Sequence, residues 1–209
     1  MRASVMIILC AGLFLSGAVR AQVAVVDPAH IAQSIANSAS EMVHTSQTAE
    51  GMLNNFKETV KIYEQHREYF DKLRGVSNLV KNARKVKECI LLTGEISELY
   101  VTSYERMLSD RNFSADELSA IAAGYARLLE RSAALLLELG DVVNVTEMSM
   151  TDKDRLDLIG NVYDELKDCR DLTAYYTRKN IAVSYSRSRE AQDMERFMAL
   201  YGNDADRYW

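Results

Sequence analysis

The chain has 209 residues, 48% of them hydrophobic, and sets 25 lysines and arginines against 30 aspartates and glutamates for a formal net charge of −5. An acidic chain is a poor fit to nucleic acid or anionic lipid, which both select clustered Lys and Arg, and the one local exception, Lys81 to Lys87, reads as a solvated helix face. One proline and nine glycines leave too few turn formers for a β-sandwich or barrel, so the composition points to an all-α chain of long helices.

Residues 1–21 place Arg2 before an apolar run from Val5 to Leu15 and finish in the small-residue segment Ser16 to Ala21. That is the pattern of a signal peptide, with cleavage expected between Ala21 and Gln22. The run is shorter than the roughly 20 residues a membrane span needs, and Arg20 interrupts its end. Cys10 does not make a lipoprotein site, because Leu9 stands where a small residue is required. No second stretch approaches spanning length, so the mature chain is expected in the periplasm or at the cell surface. Loss of Arg2 and Arg20 with the leader makes it still more acidic.

Asp27-Pro28 opens the first helix, the aspartate capping free N–H groups and the proline sitting where no hydrogen bond is lost. From Ile35 through Met42, Leu53, Phe56, Val60 and Tyr63 to Phe70, core-type positions alternate steps of three and four, predicting one helix over about 28–74. Gly75 to Asn78 breaks it. A second stripe follows from Leu79 through Val86, Ile90, Tyr100 and Tyr104 to Met107, weak at Thr93-Gly94 and Ser97, where a bend is expected. Ser109 to Asn112 reads as a turn, and Ser114 with Glu117 as a capping box. The next stripe, Leu118, Ile121, Tyr125, Leu128, Ser132, Leu135, Leu139 and Val142, has no gap and is widened by Ala122, Leu129 and Leu136, which marks the central helix. Thr151 to Asp154 is a second capped start, and the chain then reads helical through Leu166, Tyr176 and Met198 until Gly202. The expected domain is therefore single and elongated, residues 22–209: the long first helix, a bundle over about 78–201 and a short aromatic tail over 202–209. About four long antiparallel helices with coiled-coil packing would build it.

Chemistry-bearing patterns are sparse. His30, His44 and His66 lie on one helix about 21 and 33 Å apart, too far to share a metal ion. There is no P-loop, GxGxxG, GxSxG or HExxH, so neither enzyme activity nor a cofactor is expected. Asn112-Phe113-Ser114 and Asn144-Val145-Thr146 match the glycosylation sequon, which is too short to be specific. Six of eleven tyrosines (Tyr163, Tyr175, Tyr176, Tyr185, Tyr201, Tyr208) fall after residue 160, joined by Trp209. Such side chains either complete a bundle core or form a protein interface. Tyr201, Tyr208 and Trp209 are the candidates for partner binding.

The segment Val25-Val26-Asp27-Pro28-Ala29-His30-Ile31-Ala32-Gln33, entering a long heptad helix behind a leader, resembles conjugative-transfer proteins of the TrbJ kind. It is closer to the exported TraI-type protein of Bacteroidetes conjugative transposons, which is distinct from the relaxase of that name. Tyr69 to Leu73 and Val76 to Lys81 add to the likeness; His30 departs from it, standing where asparagine is expected. The resemblance implies a periplasmic component of a type IV secretion system, related to minor pilins, that contacts other channel subunits or the recipient surface. It carries over no catalytic residue. A periplasmic coiled-coil chaperone or adaptor for envelope proteins is the alternative.

Cys89 and Cys169 are the only cysteines left once the leader is removed. With turns near 112 and 150, the second and fourth predicted helices run parallel and place the two cysteines about four residues, or 6 Å of rise, apart. A disulfide is the expectation, and two buried free thiols the alternative. Closing that loop would contribute on the order of 4 kcal/mol.

Overall fold

A computed structural model describes residues 34, 37, 49–75, 81–144 and 151–202. Five helices occupy them: α1 (Ala49–Gly75), α2 (Lys81–Leu108), α3 (Ala115–Asn144), α4 (Asp152–Glu190) and α5 (Met194–Tyr201). The fold is all-helical, with no strand among the described residues and no helix there long and apolar enough to cross a membrane. The expected leader, its cleavage point at Ala21 and Gln22, the Asp27-Pro28 start, His30, His44 and the tail residues Tyr208 and Trp209 lie outside the described residues.

Helix boundaries follow local chemistry. Before α3, the Ser114 hydroxyl accepts from the Glu117 N–H at 3.3 Å, and the Glu117 carboxylate accepts from the Ser114 N–H at 2.9 Å. Thr151 and Asp154 repeat that exchange at the head of α4. Each box satisfies two N–H groups that the first helical turn leaves over, and Asp116, Glu117, Asp152 and Asp154 set negative charge against the positive helix end.

Side-chain contacts give the directions. Phe56 of α1 meets Tyr100 and Tyr104 of α2, and Lys87 donates to the Arg74 carbonyl, so α1 and α2 are antiparallel. Tyr104 donates to the Leu118 carbonyl while Tyr100 packs on Tyr125, and Arg187 of α4 bonds Glu117 while Cys169 bonds Leu128, so α3 opposes both neighbours. It follows that α2 and α4 run parallel: Lys85 lies over Tyr163, Glu95 beside Arg170 and Asp110 against Ser184.

The core holds a chain of ring contacts, Phe56–Tyr104 at 5.0 Å, Tyr100–Tyr125 at 4.9 Å and Tyr125–Tyr176 at 5.1 Å, above an aliphatic stretch that includes Leu129, Leu136, Leu139, Ile159 and Leu166. The buried tyrosines keep their polar ends bonded, Tyr125 with the Thr177 hydroxyl at 2.7 Å and Tyr104 with Leu118. Burial pushes the Tyr100 and Tyr104 phenols well up, so they remain protonated.

Thr93-Gly94 and Ser97 do not interrupt their helix: α2 is continuous from Lys81 to Leu108, and these residues are buried. Thr93, Ser97, Thr173 and Thr177 each donate to the carbonyl four residues earlier, leaving small apolar faces at the α2–α4 contact, the most extensive among the described helices. One expectation changes: the last helix is not one piece. It stops at Glu190, Gln192 takes a φ of 56°, the Asp193 N–H reaches back to the Ser188 carbonyl, and the short α5 follows. That is a Schellman-type ending with glutamine in the place usually held by glycine, so no glycine or proline announced it.

Candidate interaction site

Two features stand apart from ordinary packing: a buried polar clasp at one end of the bundle, and an apolar strip on the outside of α4.

The clasp is centred on Asp110, 3% exposed, in the α2–α3 turn. One carboxylate oxygen accepts from the Asn112 N–H at 2.9 Å, closing the turn; the other accepts from the Ser184 hydroxyl at 2.5 Å and the Tyr201 phenol at 2.8 Å. The Asn112 amide donates to Ser184 at 3.0 Å and Ser188 at 2.8 Å. Arg187 donates to the Asn112 carbonyl and grips Glu117 with both terminal nitrogens at 3.0 and 2.6 Å, its guanidinium 5.9 Å from the Phe113 ring centre. Hydrogen bonds from Arg187 hold the Glu117 carboxyl down at about 2, and that pairing raises Arg187. Burial, followed by the Asp110 charge, pushes the Tyr201 phenol far up, which keeps it a donor. These groups satisfy one another inside the fold. The clasp joins α2, α3, α4 and α5.

Tyr201 therefore corrects one expectation. It was a candidate for partner binding, but at 1% exposure it is a core residue whose hydroxyl is spent on Asp110. It stays inside because the Gln192 reversal turns α5 back, which packs Phe197 against Tyr185 at 5.4 Å and against Tyr201 at 5.0 Å.

Cys89 and Cys169 are buried free thiols. The expected bond is absent because the two thiols do not meet: contacts set residue n of α2 beside n + 75 (Glu95–Arg170) to n + 78 (Lys85–Tyr163) of α4, so Cys169 lies two to five residues beyond Cys89, and its thiol is turned to α3. Cys169 instead donates to the Leu128 carbonyl at 3.3 Å. Burial raises the Cys89 thiol to about 12 and the Cys169 thiol to about 11. His66 is half-buried on α1.

The outer face of α4 is different. Its buried edge runs Ile159, Val162, Leu166, Cys169, Thr173, Thr177, Ile181, Ser184, Ser188. On the other side Leu172 is 53%, Tyr175 50% and Val183 42% exposed, with the Lys179 ammonium 5.3 Å from the Tyr175 ring centre. Asp168, Leu172, Tyr175 and Lys179 alternate steps of four, three and four, the spacing of a packing seam. The periodicity puts Val183 and Met198 on the stripe of the last helix, but both are more than two-fifths exposed; Tyr175 is among the interface candidates, and Leu172 carries no signal because the stronger apolar period of α4 faces inward. An open groove of about 490 Å³ between α2 and α4 is lined by Glu95, Glu98, Thr102, Arg106, Arg170 and Arg178. Acids and bases already meet there, Arg170 with Glu95 at 3.7 Å and Asp171 at 2.8 Å.

Residues 4–56 are similar to the family described as "Domain of unknown function (DUF4141)". The matched segment takes in the Val25 to Gln33 motif and ends in α1 at Phe56, the ring that packs on Tyr100 and Tyr104. No curated protein and no solved structure matches.

Proposed function

We propose that this chain is a periplasmic structural or adhesive subunit of a conjugative type IV secretion apparatus, acting in DNA transfer through protein contacts, with its helices forming an elongated coiled-coil rod. The observation that carries the contact role is the half-exposed Leu172 and Tyr175 on α4, since apolar side chains in a row on a charged helix surface favour a partner over water. α4 alone spans nearly 60 Å at 39 residues, giving that surface a long straight support. The Asp110 clasp fixes one end of it. The Val25 to Gln33 likeness supplies the conjugative setting. Tyr208 and Trp209 are proposed to extend the contact.

Deleting the gene in a donor and counting transconjugants tests this reading: a drop of several orders of magnitude, restored by the plasmid-borne chain, is expected. Unchanged transfer overturns it. Capture of a broad set of unfolded envelope proteins, in place of secretion-channel subunits, points to the chaperone alternative. Truncation after Gly202 is expected to weaken assembly without changing the melting temperature.

A further inference from the structure

We infer that the α4 seam pairs with the same seam of a second copy of this chain, in an antiparallel two-fold contact centred between Leu172 and Tyr175. This deepens the reading of α4 as a docking face by naming its occupant.

The argument is one of symmetry in charge and shape. Asp168 lies four positions before Leu172 and Lys179 four positions after Tyr175 on the same exposed side of the helix. A two-fold axis crossing α4 between Leu172 and Tyr175 exchanges these pairs. Leu172 then faces the partner's Tyr175, and Asp168 faces the partner's Lys179, each contact occurring twice. A parallel pairing would instead set Asp168 against Asp168 and Lys179 against Lys179, which repel. A closed two-fold contact must be self-complementary in this way, because each residue on the patch meets its counterpart across the axis. Helix seams with apolar members at three-four spacing and charges beside them pair by the same logic in coiled coils.

The neighbouring groups agree with the assignment. Glu165, the next acid toward the helix start, is tied to Arg131 of α3 and does not compete for the partner's Lys179. Lys179 lies over its own Tyr175 ring, so the positive charge is already held at the seam. Tyr175 presents a flat, half-exposed ring and Leu172 a branched side chain, a good apolar match across an axis. One helix seam is at the small end of stable interfaces, so association in the micromolar range is expected.

The test is sedimentation velocity on the chain beginning at Gln22, from low micromolar to several hundred micromolar. The expected result is a monomer–dimer equilibrium with no higher species. D168K and K179D should each weaken dimerisation tenfold or more, since each removes two ion pairs and sets like charges face to face. The double reversal D168K/K179D should restore it to within about threefold of the parent, because attraction is rebuilt with exchanged signs. Both positions are exposed, and unchanged circular dichroism confirms that each variant folds. A monomer at every concentration overturns the inference. So does a dimer indifferent to the single reversals, a double variant as weak as the singles, or a ladder of larger oligomers. None of these results depends on the mating assay, so this pairing can fail while the conjugative role stands.

Discussion

The two ends of the bundle are held by different physics. Around the α2–α3 turn, Asp110, Asn112, Ser184, Arg187 and Tyr201 meet through directed hydrogen bonds, several to charged groups. At the other end, near Cys89, Ile159 and Val162, the helices are joined by apolar packing, with ion pairs such as Arg131–Glu165 lying half in solvent. Exposed pairs of that kind contribute about 1 kcal/mol or less, whereas a buried carboxylate that loses its donors, or donors that lose it, costs several. The lesson is that burial brings the helices together, and the polar end decides which residue stands opposite which. A slip of one turn at the apolar end exchanges one aliphatic contact for another; at the Asp110 end it strands a charge.

The largest contrast is expected in thiol chemistry. Both cysteines belong to the apolar end and middle, and burial holds Cys169 at about 11 and Cys89 at about 12. Against an ordinary thiol, that lowers the reactive thiolate by about a hundredfold for Cys169 and about a thousandfold for Cys89. Alkylation of the folded chain should therefore be slow and strongly accelerated by denaturant, with both thiols accounted for by mass spectrometry without reductant. Recovery of a Cys89–Cys169 bond from the exported protein would show that α4 is shifted along α2.

Next in size is the clasp itself. Asp110→Ala removes the acceptor for Ser184, Tyr201 and the Asn112 N–H at once, and an expected loss of about 3–5 kcal/mol follows from breaking a buried, charged network. Ile159→Val at the opposite end removes one buried methylene and should cost about 1 kcal/mol. Urea unfolding of the two variants measures the ratio. Equal losses would mean that the clasp adds no more than its contact area.

These effects show how far the residues could be read unaided. The three-four stripes placed α2, α3 and the start of α4, and the Ser114–Glu117 and Thr151–Asp154 boxes form as their spacing requires. What stayed hidden depends on neighbours distant in sequence. Asp110 looks like any turn residue until α4 brings Ser184 to it from 74 positions away. Ser184 and Ser188 did carry a faint signal, being hydroxyls on the inward edge of a helix, where an apolar residue is the default. The α4 ending was invisible because glutamine fills the left-handed position, and that single residue turns Tyr201 from a surface candidate into part of the core.

Gln192 offers a smaller effect of opposite sign. A residue with a Cβ in the left-handed region is strained by about 1 kcal/mol relative to glycine, and Gln192 is exposed, so its side chain is not needed for packing. Gln192→Gly should stabilise the chain by up to about 1 kcal/mol, read as a higher urea midpoint. A loss of stability would show that the glutamine side chain makes a contact that outweighs the strain.

The last expectation concerns pH and isolates the Arg187–Glu117 arm of the clasp from its buried centre. Hydrogen bonds from Arg187 are the main cause holding the Glu117 carboxyl at about 2, below the ordinary carboxylate range near 4.3, and the Ser114 N–H adds to it. A carboxyl lowered by folding contributes stability that is fully present above its unfolded value and is lost as pH falls through the folded one. The window is thus from about pH 4.5 down to about pH 2, with the pair intact at neutral pH. Glu117→Gln separates the two roles of this side chain. Glutamine can still accept from the Ser114 N–H and keep the capping box, but it cannot offer Arg187 two charged oxygens. Urea midpoints measured across that window should fall less steeply for Glu117→Gln than for the parent, while the two chains keep the same helix content. Both carboxyl oxygens are partly in solvent, so this is the smallest of the effects. If the two pH profiles are parallel, Arg187 is held by Asn112 and Phe113 instead, and Glu117 serves α3 only as a cap.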